Sequence, residues 1–139
     1  MRIRIFLALF AISAISCKKE MTAADTAKIN GYWEIEKVVL PDGKTKEYTV
    51  NTTVDYFEIK GDSGIRKKVT PQIDGTYRDN GLAEHVAVSF SAGKAYLNYN
   101  SGYAKWKEEI IATGDSALVF KNNANLEYHY KRPFAFTKK

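Results

Sequence analysis

The chain has one cysteine, two histidines and three prolines in 139 residues. A single cysteine, Cys17, leaves no partner for an intramolecular disulfide. The histidines, His85 and His129, each alternate outward on a strand, where histidines are usually solvated, so no metal and no cofactor is expected. No apolar run reaches the roughly 20 residues a spanning helix needs. The stretch Ile5 to Ile15, interrupted by Ser13, is too short. Catalytic signatures are missing too. Ser63, in Gly61-Asp62-Ser63-Gly64, lacks the glycine spacing of a nucleophile elbow. Gly93-Lys94 has no phosphate-loop glycine ahead of it. Glu34 and Glu36 share one strand face and, like the other carboxylates, are expected to be exposed, with no setting that would raise a pKa for acid–base work. An enzyme is therefore not expected. The net charge of +5 is dispersed, and Arg66-Lys67-Lys68, the only run of three basic residues, reads as a solvated strand or turn. Without a basic stripe interleaved with aromatics, nucleic acid is not an expected partner.

The N-terminus carries the most specific signal. Arg2 and Arg4 precede the short apolar stretch, and a small residue precedes the break, which together describe a secretory signal over residues 1–16. Ala14-Ile15-Ser16-Cys17 resembles a bacterial lipobox, although leucine is commoner where Ala14 stands. The resemblance implies that Cys17 is the first mature residue and carries acyl chains, palmitate among them. Each buried CH₂ contributes about 0.8 kcal/mol, so several chains hold a protein on a membrane without a spanning helix. Removing residues 1–16 removes two arginines and no acid, which lowers the net charge from +5 to +3. Lys18-Lys19-Glu20 resembles an export tag of envelope lipoproteins, but a solvated tether is the plainer reading. Residues 17–29 read as the lipidated N-terminus and a linker with room for a helical turn.

From Gly31 onward the pattern is strands and turns. Trp33, Ile35 and Val39 alternate onto one face, with Lys37 interrupting that face at a rim. Pro41-Asp42-Gly43-Lys44 closes a hairpin. Phe57 and Ile59 share a face in the strand from Val54 to Lys60, and Ile65 and Val69 share one in the strand that returns. Pro71 ends or bends that strand. Further inward sets are Val86, Val88 and Phe90; Ala95, Leu97 and Tyr99; Trp106, Ile110 and Ala112 (with Glu108 at the same parity); Leu118 and Phe120; and Leu126, Tyr128, Tyr130 and Arg132. No stretch between Gly31 and Arg132 has a helical period. Eight to ten short strands at this turn spacing predict an all-β domain over residues 30–139. Consecutive hairpins favour a small up-and-down antiparallel barrel over a β-sandwich.

The opening Gly31-Tyr32-Trp33 and the late Arg132 resemble the lipocalin superfamily, and the domain as a whole is similar to the lipocalin-like domains of bacterial lipoproteins. The resemblance implies that Trp33 packs at the closed end of the barrel against Arg132, a structural pairing of a cation with an indole face. The chain departs from the pattern in three ways. It is shorter than a typical secreted lipocalin, no helix is legible after the strands, and the loop motif that often marks the open end is not recognisable. The interior therefore allows two readings. Phe57, Phe90, Trp106, Phe120, Tyr128 and Tyr130 either line a hydrophobic pocket or fill the core of a small barrel.

The function expected from this is a membrane-anchored envelope lipoprotein, monomeric and held in the outer membrane, whose barrel binds a small apolar ligand. The alternative is a filled barrel acting as a protein-interaction or inhibitor module. Convergent polar groups inside the barrel, which a catalytic reading would need, are not suggested by the alternation.

Overall fold

A computed structural model describes residues 19–134. The signal segment and Cys17 lie outside the described residues. A short helix, α1 (Ala23–Ala27), precedes ten strands. They are β1 (Gly31–Val39), β2 (Thr45–Glu47), β3 (Val54–Lys60), β4 (Ser63–Pro71), β5 (Tyr77–Asp79), β6 (Glu84–Ser91), β7 (Lys94–Asn100), β8 (Lys105–Thr113), β9 (Ala117–Lys121) and β10 (Glu127–Lys131). Eight of them form a closed antiparallel barrel in the order β1, β3, β4, β6, β7, β8, β9, β10, and the ladder between β10 and β1 completes it. The two extra strands are β2, paired with the second half of β1, and β5, paired with the end of β4.

Two bulges reset which residues face in. Ile35 stands opposite Tyr130 and Lys37 opposite His129, so Glu36 is the inserted residue. An extra residue inverts the alternation beyond it. Val38 therefore takes the buried position expected of Val39, and Lys37 is free to turn outward. In β8 the same irregularity falls at Ile111, between Ile110 opposite Phe120 and Ala112 opposite Val119. Ala112, expected to face in, is exposed.

One end of the barrel is shut by its own chain. Thr22 caps α1 in a reciprocal capping box with Asp25, which satisfies helix-terminal donors in so short a helix. The Met21 amide donates to the Gly93 carbonyl at 3.3 Å, and Met21 packs on the core. Ile29, wholly buried, closes this end beneath Trp33, whose indole N–H donates to the Ile29 carbonyl at 2.7 Å. Asn30 extends the closure by pairing with the backbone of Ile59 in both directions, at 3.0 and 2.6 Å. Above them Phe57, Val86, Leu97, Leu118 and Phe120 fill the interior. Phe90 has the expected parity but is 50% exposed. The ladder of β4 with β6 stops at Ser63 and Ala87, with one further bond from the Val88 amide to the Asp62 carbonyl at 2.7 Å, so Phe90 lies beyond the paired stretch on that side.

Candidate functional site

The other end is open, and its shape follows from how β1 is shared. The first residues of β1 pair with β3 (Gly31 to Trp33 against Phe57 to Asp55), whereas its last three pair with β2. Between these ladders the edge of β1 is left to residues 48–53, which cross it as a strap. The Tyr48 amide donates to the Glu36 carbonyl at 2.9 Å, and Asn51 Nδ2 donates to the Ile35 carbonyl at 2.9 Å. Both bonds satisfy backbone acceptors that the bulge would otherwise leave bare. Under this strap lies a cavity of about 410 Å³, lined among others by Trp33, Ile35, Val38, Asp55, Tyr128 and Tyr130. A second depression of about 240 Å³ lies across the mouth, beneath Leu82, Ala83 and Tyr103. Lys68 borders both. A larger depression, about 870 Å³ and open to solvent, lies along β4, β6, β7 and β8 and includes Ile65, His85, Ala87 and Lys107.

The mouth has a charged floor that the sequence reading placed in solvent. Asp55, Arg66 and Glu108 are buried, at 3%, 9% and 6% exposure. Asp55 shares the parity of Phe57 and Ile59. Because Gly61 and Asp62 alone connect β3 to β4, Lys60 stands opposite Ser63 and Phe57 opposite Arg66. That register turns Arg66 and Lys68 inward and Lys67 outward, where Lys67 pairs with Asp79 at 2.6 Å. The basic run is therefore split between the two faces, and the expectation of a solvated stretch fails for Arg66. The expectation that the carboxylates are exposed fails for Asp55 and Glu108. Polar groups do converge inside the barrel.

Arg66 is the best-satisfied member. Its Nε donates to Glu84 at 2.6 Å and its Nη1 lies 3.8 Å from Glu108. Its guanidinium lies 4.3 Å from the centre of the Tyr99 ring, and Tyr99 stacks on Trp106 at 5.2 Å. Burial works against its charge, but the hydrogen bond to Glu84 and the surrounding acids outweigh burial and raise its pKa. Burial pushes the Glu108 carboxyl up, opposed by the nearby Tyr99 hydroxyl and Arg66. Burial also raises the Tyr99 and Tyr130 phenols well above their ordinary value; Glu108 adds to the shift at Tyr99, and Asp55 to that at Tyr130. The Tyr99 hydroxyl lies near Glu108 but completes no hydrogen bond of good geometry. Asp55 Oδ1 is paired with the Lys68 ammonium, 2.5 Å away.

The residues picked from sequence fall into three places. Tyr128 and Tyr130 line the cavity, and Trp106 stands half-buried over Tyr99. Phe57 and Phe120 are core, edge to face at 5.9 Å. Phe90 is at the opposite end. Arg132 lies over Trp33, 3.6 Å from the ring centre. It also donates to the carbonyls of Lys28, Asn30, Tyr32 and Asp115 at 3.1 to 3.3 Å. Gly31 has φ +101°, and a Cβ there would lie 3.0 Å from Arg132 Nη1, so glycine is needed both for the backbone and for the arginine.

A family model described as a lipocalin-like domain matches residues 29–120. The chain belongs to the lipocalin-like domain family. Two solved structures resemble this lipocalin-like barrel. One is a lipocalin-like protein from Bacteroides uniformis ATCC 8492, 11% identical, covering 76% of this chain and 99% of that one with a TM-score of 0.47. The other is an uncharacterized protein from Bacteroides eggerthii DSM 20697, 11% identical, covering 75% and 98% with a TM-score of 0.46. None of the curated proteins matches the chain. Among the described residues, no group of three or more His, Cys, Asp or Glu side chains is placed to hold a metal ion.

Proposed function

We propose that the protein is a non-catalytic carrier, held by a lipid on Cys17 in a bacterial envelope and taking a small, largely apolar ligand into the open end of its barrel. The observation that carries the ligand reading is the cavity under the 48–53 strap. At about 410 Å³ it lies within the usual range of roughly 300–1,000 Å³ for small-molecule sites. Trp33, Ile35, Val38, Tyr128 and Tyr130 give it an apolar wall, and Asn51, Thr52, Thr53, Asp55 and Lys68 supply polar groups beside it. Anchoring is supported by the lipobox-like sequence and adds an orientation. Met21 is tied to the closed end at Gly93. It follows Cys17 by four residues, at most about 14 Å of extended chain. A lipid on Cys17 therefore holds the closed end to the bilayer and turns the mouth away from it. Such a carrier exchanges its ligand with the aqueous side rather than drawing it from the leaflet beneath.

The test has two arms. Membrane fractionation of the full chain should find it washed free by Cys17→Ser; retention of that variant would refute the anchor. Native mass spectrometry of the mature chain with Cys17→Ser, offered envelope lipid extract, should show a bound small molecule. A bare chain mass would favour the interaction module instead. That second reading is favoured by one observation, the exposed Val50, Leu82 and Tyr103 around the mouth.

A further inference from the structure

The closed end is built unlike a surface that faces only water. The segment entering the barrel is docked on it rather than strung out as a linker. The Met21 amide is bonded to the Gly93 carbonyl, and the Met21 side chain packs on the core. Lys19 lies 3.9 Å from Asp25 of α1. Where the segment crosses the turn between β6 and β7, Met21, Ile110 and Ile111 wall a cavity of about 220 Å³. Beside that crossing two large apolar side chains stand in the open, Phe90 at 50% and Ile111 at 39% exposure. The charges there are sorted by depth. The Lys19 side chain is 84% exposed and that of its partner Asp25 only 14%. The lysine is also the outer member of the Lys28–Asp25 and Lys94–Glu109 pairs. Ammonium groups thus lie outermost and carboxylates behind them.

We propose, on the basis of the attachment at Cys17, that the closed end is a membrane-contact face. Phe90 and Ile111 enter the interface of the anchoring bilayer, and Lys19, Lys28 and Lys94 meet anionic headgroups. The length of the tether says what covers this face. Cys17 stands four residues before Met21, so at most about 14 Å of chain separates them. Acyl chains start beneath a headgroup layer roughly 5–8 Å deep. Even a fully extended tether therefore leaves Met21, and the turn it is bonded to, within about 10 Å of the headgroup surface. Apolar side chains flanked by lysines are the composition that settles at such a boundary. Lysines add attraction to an anionic leaflet that is felt only within a Debye length, and this end lies inside that distance. Lipid and face together give the barrel one orientation, where a lipid alone would leave it to swing on its chain.

Cys17 is the only cysteine, so the mature chain can be coupled through it to a maleimide lipid in vesicles. Coupling supplies the attachment independently of acylation in the cell. The vesicles are brominated phosphatidylcholine with about 30 mol% phosphatidylglycerol, since bromines on the acyl chains quench only an indole that reaches them. Phe90→Trp should lose at least about one third of the emission it adds over the wild-type chain, and Tyr103→Trp, at the mouth, should lose none. Lys19→Glu combined with Lys94→Glu should reduce the loss at position 90 to less than about half. Far-ultraviolet circular dichroism of each uncoupled variant checks that the barrel is intact. Unchanged emission at position 90, or equal quenching at positions 90 and 103, would overturn the contact face and leave the anchor standing. Quenching that the two glutamates do not alter would overturn the headgroup contact. The anchor is read separately by fractionation of Cys17→Ser, and its failure there would take the bilayer away from this end and this inference with it.

Discussion

The contact between Arg132 and Trp33 yields the most direct test of how the barrel is held shut. Arg132 carries four hydrogen bonds to backbone carbonyls, of which those to Asn30 and Tyr32 are partly buried. At a net ~1 kcal/mol each, those two contribute about 2 kcal/mol, and the exposed pair adds little. The cation over the indole contributes about 1 kcal/mol more at this partial burial. Arg132→Met keeps the stem and should cost about 3 kcal/mol. Arg132→Lys keeps a cation over the ring, but a point charge cannot reach carbonyls from three directions. It should cost about 2 kcal/mol. Urea unfolding, followed by the far-ultraviolet circular dichroism of the sheet, measures both. In a Trp33→Leu background the step from Lys to Met should disappear, because no ring is left for the cation. A lysine variant as stable as wild type would show that the guanidinium fork is irrelevant to closure. A step that survives loss of the indole would refute the cation–ring contribution.

Other outcomes follow from the same geometry. Trp33→Ala should cost about 3–5 kcal/mol, as large core truncations do, in the same urea assay. Gly64→Ala should be among the most damaging single substitutions in β4, because its methyl would be driven into the Glu58 carbonyl; unchanged thermal unfolding would contradict the close approach of the strands. Tyr99 and Tyr130 hold their protons in the fold while the unfolded chain loses them above about pH 10, so the unfolded state binds fewer protons there and stability falls as pH rises. Above that pH the slope should be about 1.4 kcal/mol per pH unit for each tyrosine, and Tyr99→Phe should roughly halve the combined slope in chemical denaturation at graded alkaline pH.

The sequence by itself determined the strand content and the hairpin order, and its resemblance to lipocalins supplied the closure pair. Period-two alternation and turn residues are local signals, and Trp33 and Arg132 lie at the two ends of a chain whose closure brings its first and last strands together. The inward faces of β7 and β9 were legible for the same reason: neither contains an irregularity, so parity persists from Ala95 to Tyr99 and from Leu118 to Phe120. Tertiary structure decided the rest. The bulges at Glu36 and Ile111 inverted parity within β1 and β8, and no residue type announces an inserted residue in a strand. Phe90 was exposed because β4 ends before β6 does, a fact about a neighbour rather than about β6. The charged floor lay hidden in Arg66-Lys67-Lys68, where strand pleating sends adjacent residues to opposite faces. Its register was within reach, since a two-residue link between β3 and β4 places Arg66 opposite Phe57. What no local pattern contained was the meeting of Asp55, Arg66 and Glu108, from three different strands, which depends on a closed barrel narrow enough for side chains to touch across it.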